Sequence, residues 1–209
     1  MQYITKTELK EILYKMTILD IIMCPKEEEY LRITTVQKIE NGCKYIIDNG
    51  SGDSLTIFIT ANGAYIKGFD HESEWNQFGA QFGADEWNED FFEQVYKNAP
   101  SEFLALVENK EERDETTFCM WCVDDTDEWY QNEISDDDDD DGGKEYLLEY
   151  IMKSAEEWCE WAEDYYELEL DIDVVKKIYN GASIDDELIS KLNEKRNIEE
   201  ALQEINEIK

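Results

Sequence analysis

The stretch SLTIFITANGAYIKGF, residues 54–69, decides the fold that the sequence predicts. Leu55, Ile57 and Ile59 alternate with a second set of side chains on the opposite face, which is the pattern of a half-buried strand. Asn62 and the glycine after it form a hairpin signal, so the chain is expected to return as a strand over residues 64–69.

Two more strands are predicted just upstream of this hairpin. Residues 30–39 and 43–48 are rich in β-branched and aromatic side chains, and residues 49–53 (NGSGD) have the composition of a turn. Since all the connections are short, the four strands are expected to form an antiparallel β-meander. Residues 116–123 and 129–134 are strand-like as well and are predicted to extend this sheet.

An N-terminal helix is predicted before the meander. Thr5 and Glu8 have the spacing of a capping box, and an apolar stripe follows them at helical intervals. We therefore expect an amphipathic helix from about residue 6 to 22 that packs on the sheet. A further helix is predicted after Asp85 or Asn88, either of which can cap it.

The last third of the chain is predicted to be helical. A wide apolar stripe predicts one helix over about residues 144–168. Shorter helices are expected to follow, capped by Asp171, Ser183 and Asn197.

The fold class is therefore α+β, with an N-terminal helix, an antiparallel meander and a helical C-terminal third. The sheet domain is predicted over residues 1–135 and an acidic Asp/Gly loop over 136–143. The helices of residues 144–209 either pack on the same core or form a small subdomain.

The charge is strongly negative and unevenly distributed. The chain has 53 acidic and 19 basic residues, a net charge of −34, and residues 61–142 alone hold 25 acidic and 4 basic ones. Such a field disfavours binding to nucleic acid and to anionic membranes, and it attracts basic proteins. The alternative explanation is general acidity that serves only solubility.

Cysteine and histidine usage excludes several classes of protein. The five cysteines are scattered, and residues 1–25 do not read as a signal peptide, so we expect reduced thiols in the cytoplasm. Cys119 and Cys122 have the CxxC spacing, but on a strand they face opposite sides and cannot converge on one metal ion. His71 is the single histidine, and no nucleotide-binding motif occurs, so no cofactor is predicted.

A binding face for a basic protein is predicted among acidic residues that lie close to tryptophans. Aromatic side chains among carboxylates can form hot spots for Lys and Arg. Trp129 is the expected anchor and Trp161 a second exposed candidate, whereas Trp158 lies on the helical stripe and is expected in the core. The acidic residues of this face are Asp85, Glu86, Glu89, Asp90, Asp124, Asp125, Asp127 and Glu128.

An enzyme centred on His71 is the alternative function. Asp70, Glu72 and Glu74 surround His71 directly after the last meander strand, and strand ends are frequent places for sites. Carboxylates around an imidazole favour its protonated form, which suits a structural ion pair better than a general base.

A calcium-responsive protein is the third alternative. Asp137, Asp139 and Asp141, followed by a glycine, match the start of an EF-hand loop. The twelfth position is Leu148 instead of Glu, so only weak association of Ca²⁺ or Mg²⁺ is predicted there.

Three segments carry a resemblance to known proteins: residues 68–74 (GFDHESE), 117–121 (TFCMW) and 161–167 (WAEDYYE). Together they resemble an uncharacterised family of small acidic bacterial proteins with a helical C-terminus. The resemblance covers the chain from about residue 55 onward and implies an architecture without a mechanism. In size and acidity the chain is also similar to immunity proteins that neutralise bacterial toxins, as a class. We therefore expect a non-catalytic antagonist of a basic protein, either toxin-neutralising or DNA-mimicking.

Overall fold

The computed structural model describes residues 4–79, 88–124, 126, 128–132 and 141–209 of the chain. Its first helix, α1, spans Lys6–Met23, in agreement with the prediction. Its first turn is closed by the capping box, in which Thr5 N donates to Glu8 Oε2 at 2.8 Å and Glu8 N donates to Thr5 Oγ1 at 3.2 Å.

A six-stranded sheet with strand order β1-β2-β3-β4-β5-β6 forms the centre of the molecule, and every neighbouring pair is antiparallel. The predicted antiparallel meander is therefore confirmed. The strand expected from residue 30 begins four residues later, because Lys26–Leu31 form a 3₁₀-helix instead. The strands are β1 (Thr34–Ile39), β2 (Gly42–Asp48), β3 (Ser54–Thr60), β4 (Gly63–Phe69), β5 (Phe118–Val123) and β6 (Tyr130–Gln131).

The sheet is covered on both faces, which corrects the expectation of a half-buried β3. Leu55, Ile57 and Ile59 face α1 and the C-terminal helices, while Phe58 on the other face is only 2% exposed. The short helices α2 (Glu89–Val95) and α3 (Ser101–Leu106) supply this second cover, and α4 (Lys110–Asp114) follows them. The alternation of side chains in β3 did not predict helices on this second face, because those helices come from residues 89–106, a distant segment of the chain.

The two cysteines of the CxxC segment lie on opposite faces of β5, as predicted. Cys119 packs in the cluster under α2 and α3, and Cys122 packs in the cluster under α1. All five cysteines of the chain are free thiols.

The predicted long helix over residues 144–168 is wrong, because two helices occupy that region. α5 (Lys144–Glu149) ends before Tyr150, and α6 (Ala155–Tyr166) begins after Ser154. Ser154 and Glu157 form a second capping box, with Glu157 N donating to Ser154 Oγ at 3.2 Å, and this box starts a new helix.

Three further helices complete the chain: α7 (Ile172–Tyr179), α8 (Asp186–Leu192) and α9 (Ile198–Glu207). Asp171 and Asn197 cap α7 and α9 as predicted. The predicted cap Ser183 is wrong, since Asp185 accepts from Leu188 N at 2.9 Å at the start of α8. The three helices share one buried cluster with α1 and the sheet. Within the part of the chain that the structure describes, no helix has the length and apolarity needed to cross a bilayer.

The C-terminal end of α1 is buried and is capped by side chains from distant segments. Arg32 Nη2 donates to Cys24 O at 2.6 Å, Arg196 Nε donates to Ile21 O at 3.0 Å, and Asn193 Nδ2 donates to Ile22 O at 3.1 Å. These donors satisfy carbonyl groups that the end of a helix leaves without partners. Glu204 of α9 accepts from both arginines and so joins them into one network.

We expect Glu204→Ala to lower the free energy of unfolding by about 3 kcal/mol, because it removes the carboxylate that two buried guanidinium groups share and leaves them only the more exposed Glu29 and Glu200. Chemical denaturation measures this change. Glu207→Ala, an exposed position on the same helix, serves as the control and should stay within about 0.5 kcal/mol of the parent. Equal losses in both variants would contradict the capping role of the network.

Asp20 is a fully buried carboxyl group near the same end of α1. Its Oδ2 accepts from Thr34 N at 2.8 Å and its Oδ1 accepts from the hydroxyl group of Tyr166 at 3.3 Å. Burial raises the pKa of Asp20 to about 7, against the opposing effect of these hydrogen bonds and of Arg32. Ionised Asp20 therefore costs stability at neutral pH.

The pH dependence follows from this raised pKa. Between 3.8, the ordinary pKa of an aspartate, and about 7, the folded protein holds a proton that the unfolded chain has released. The contribution of Asp20 to stability therefore falls as the pH rises through this interval. We expect Asp20→Asn to gain stability relative to the parent by up to about 1.4 kcal/mol per pH unit there. Denaturation at several pH values tests this expectation, with exposed Glu40→Gln as the control; parallel curves for parent and Asp20→Asn would contradict it.

Candidate functional site

His71 lies in the turn that follows β4, and its partner comes from another turn. His71 Nδ1 is 2.6 Å from Asp53 Oδ1, and the same oxygen accepts from the backbone N of His71 at 2.9 Å. Asp53 belongs to the turn between β2 and β3 and is 4% exposed, whereas the His71 side chain is 44% exposed. The imidazole therefore joins a buried carboxylate to the surface.

Asn49 holds the carboxylate of Asp53 in place. Asn49 Nδ2 donates to Asp53 Oδ2 at 2.8 Å, while Asn49 Oδ1 accepts from Ser51 N and Asp53 N. Partial burial raises the pKa of Asp53, but the hydrogen bonds from His71 and Asn49 outweigh it and hold that pKa below its usual value. The hydrogen bond to Asp53 raises the pKa of His71.

The three acidic residues that the sequence analysis grouped with His71 differ in how closely they approach its imidazole. Asp70 lies beside Asp53 and His71, and its Oδ1 accepts from Glu72 N at 2.9 Å. Glu72 Oε1 is 4.0 Å from His71 Nε2, on a side chain that is 84% exposed, and Glu74 is exposed as well. The predicted protonated imidazole is supported by the direction of its pKa, but its main carboxylate is Asp53. The described hydrogen bonds of His71 include none to a Ser, Thr or Cys side chain, so the arrangement is that of an ion pair.

The predicted acidic face is only partly described. Asp85, Glu86, Asp125 and Asp127 lie outside the described residues, as do Asp137 and Asp139 of the predicted calcium loop. Glu89 is paired with Lys110 at 3.3 Å and with Arg113 at 3.5 Å, so its charge is already balanced. Asp90 in α2, Asp124 after β5, and Glu128 are exposed. Asp141 is described, and its Oδ2 accepts from Glu145 N at 2.9 Å in the first turn of α5.

Trp129, the expected exposed anchor, is half-buried and covers part of the core. Its Nε1 donates to Ile4 O at 2.9 Å. Its ring closes a small apolar cavity of about 20 Å³ whose walls include Leu9 and Met120. The expectation of an exposed Trp129 is therefore wrong, while Trp158 is fully buried as predicted.

Trp161, the second candidate that was expected to be exposed, is half-buried as well and lies in the wall of a groove between α5 and α6. The groove has a volume of about 800 Å³, and its apolar lining includes the buried side chains of Leu148, Ile151 and Met152. Trp161 stacks on Tyr165 with ring centroids 4.8 Å apart, and Tyr165 is 41% exposed. The acidic residues that line the groove are Glu145, Glu149, Glu157, Glu160 and Asp164.

Most of these groove carboxylates are available to a partner. Glu157 is used by the capping box of α6, where its Oε2 accepts from Lys153 N and Ser154 N. The described ion pairs involve none of the other four acidic residues, all of which are exposed. Because residues 144–168 were predicted as one helix, a groove between two helices was not expected there. The spacing of Ser154 and Glu157 is nevertheless that of a capping box and indicates a helix start.

A chain of hydrogen bonds connects the His71 turn to the groove. Besides binding Asp53, Asn49 Nδ2 donates to the hydroxyl group of Tyr146 at 3.2 Å, and that hydroxyl is 3.0 Å from the one of Tyr150. Both tyrosines line the groove. Neither Asp53 nor Asn49 was predicted as a site residue, because their turn carried only the signal of a loop.

We expect the pKa of His71, measured by NMR in the absence of metal, to lie above 6.5 in the parent and to fall in Asp53→Asn, which removes the main charge partner. Any stability that the pair supplies is complete below pH 6.5 and is lost as the pH rises through the folded-state pKa. Glu74→Gln should leave the titration nearly unchanged. A pKa that responds to Glu74 and not to Asp53 would contradict the geometry.

Comparison with known proteins finds no match to this chain among family models, curated proteins or solved structures. Its function must therefore be inferred from the geometry of its own residues.

Proposed function

We propose that this chain is a non-catalytic protein that binds a basic segment of a protein partner in the groove between α5 and α6. The observation that carries the proposal is the presence of four exposed carboxylates, outside the described ion pairs, around a groove that is lined by apolar and aromatic side chains and by the two lysines Lys144 and Lys153. Carboxylates of this kind gain most from a partner that supplies Lys or Arg.

The spacing of the carboxylates suits a regular basic segment. Glu145 and Glu149 are four residues apart on α5, and Glu160 and Asp164 are four residues apart on α6. Residues with this spacing lie on one helix face about 6 Å apart along the axis. Lys or Arg at every fourth position of a helix, or at alternate positions of an extended peptide, has nearly the same spacing.

The aromatic and apolar lining supports the same occupant. Trp161 and Tyr150 line the groove, and the attraction between an aromatic ring and a guanidinium or ammonium group is worth about 0.5–2 kcal/mol. The apolar side chains that line the groove can cover the hydrocarbon part of Lys and Arg side chains. A groove of this composition favours a basic peptide over a small inorganic cation.

The field of the whole chain favours the same class of partner. The net charge of −34 attracts a basic protein from a distance and raises its association rate at low salt. At about 150 mM salt the screening length is about 8 Å, so only carboxylates near the bound segment contribute strongly. Affinity measured at that salt concentration therefore reports on the local site.

The test compares two triple variants with the same net charge. Glu149→Gln, Glu160→Gln and Asp164→Asn neutralise the groove, whereas Glu27→Gln, Glu40→Gln and Glu108→Gln neutralise exposed acidic residues elsewhere. A labelled peptide that alternates Lys and Leu is titrated at about 150 mM salt. With about 0.5 kcal/mol per carboxylate, the groove variant should bind about tenfold more weakly.

The control variant should bind within about twofold of the parent, because none of its three substituted residues lines the groove. Equal weakening in both variants would mean that the total charge attracts the peptide, and the groove proposal would then fail. Thermal denaturation of all three proteins checks that folding is unchanged.

A further inference from the structure

We propose that Asp53, Asp70 and His71 bind one divalent transition-metal ion, with Zn²⁺ as the best match. Each of the three side chains offers one ligand atom, and these atoms all lie within 4.8 Å of one another. This proposal is independent of the groove and of its basic partner.

The sheet itself brings the two carboxylates together. In the antiparallel pairing of β3 and β4, Ser54 lies opposite Phe69, so Asp53 and Asp70 are the next residues beyond that pair on the two strands. His71 follows Asp70 directly, and its ring turns back onto Asp53. The three ligands are therefore placed by a fixed strand register at the end of a hydrogen-bonded ladder.

The distances are close to those of a bound ion. Zn²⁺ binds imidazole nitrogen and carboxylate oxygen at about 2.0–2.2 Å, so two ligands of one ion are at most about 4.4 Å apart. The 4.8 Å limit of the cluster is slightly longer than this, and the 2.6 Å contact between His71 Nδ1 and Asp53 Oδ1 must open to admit an ion, so binding requires the His71 side chain to rotate. The His71 side chain is 44% exposed and can make this rotation.

The donor set selects the class of metal. An imidazole with two carboxylates suits Zn²⁺ and neighbouring transition metals, whereas Mg²⁺ and Ca²⁺ prefer oxygen ligands alone. Three protein ligands with one face open to solvent leave a coordination position for water. The exposed side of His71 provides the path of entry.

Surrounding groups orient the carboxylates from outside the cluster. Asn49 Nδ2 donates to Asp53 Oδ2, and the backbone N of Glu72 donates to Asp70 Oδ1. Such outer contacts fix the direction of metal ligands and support affinity. The other oxygen of this carboxylate, Asp70 Oδ2, lies against Gly143. A Cβ added to Gly143 would be only 2.3 Å from it. Only a glycine fits there, and its φ of +77° also requires one.

The single histidine of this chain makes the test direct. Zn²⁺ is titrated into the full-length protein in the presence of excess Mg²⁺, which occupies unspecific acidic positions, and the ring nitrogens of His71 are followed by NMR. We expect a stoichiometric shift of one ring nitrogen, and calorimetry should show that Asp70→Asn binds Zn²⁺ about tenfold more weakly or worse. Exposed Glu40→Gln is the control and should bind like the parent.

A double variant, Asp137→Asn with Asp139→Asn, separates this cluster from the aspartate run. Zn²⁺ binding that survives in the double variant and is lost in Asp70→Asn supports the proposal. The proposal is overturned if the His71 nitrogens do not move at saturating Zn²⁺, or if only the double variant loses binding. Far-UV circular dichroism of Asp70→Asn verifies that the loss does not come from unfolding.

Discussion

The structure depends on how the buried end of α1 is satisfied. The last turn of this helix is buried on all sides and contains no basic residue, so its carbonyl groups must find donors elsewhere. The donors come from Arg32, Asn193 and Arg196, and Glu204 ties the two arginines together. The first helix is therefore completed by Arg32 and by side chains from residues 193–204, so the C-terminal helices must pack on the same core as the sheet.

That packing also determines where the two proposed sites lie. With α7 to α9 held against α1, the face of the sheet under α1 is closed, and α5 and α6 border an open groove. The hairpin register of β3 and β4 places Asp53 beside Asp70 at the end of these two central strands. Asn49 contacts both Asp53 and Tyr146, so the His71 turn and the groove wall are neighbours. One side of the molecule thus carries both proposed sites.

Local patterns in the sequence predicted most helices and strands. Features that depend on contacts between distant segments could not be predicted from those patterns. The box of Thr5 and Glu8 and the alternation around Ile57 act between near neighbours, so α1 and the meander follow from them. The second layer over Phe58 and the pairing of His71 with Asp53 join residues far apart in the chain. The break between α5 and α6 could be predicted only in part. The capping residue Ser154 indicates a helix start, but the long apolar stripe favours one continuous helix.

The number of acidic residues says less about the proposed binding site than the partners of the individual residues do. Asp20 is buried with a raised pKa, Glu204 neutralises two arginines, and Glu89 is paired with Lys110 and Arg113. These carboxylates add to the formal charge of −34 but offer little to a partner. Four exposed carboxylates that line the groove have no such internal cation among the described ion pairs: Glu145, Glu149, Glu160 and Asp164. Because an ion pair already formed must be broken before it can bind anything else, the unpaired acidic residues beside the aromatic rings determine where a basic protein would bind.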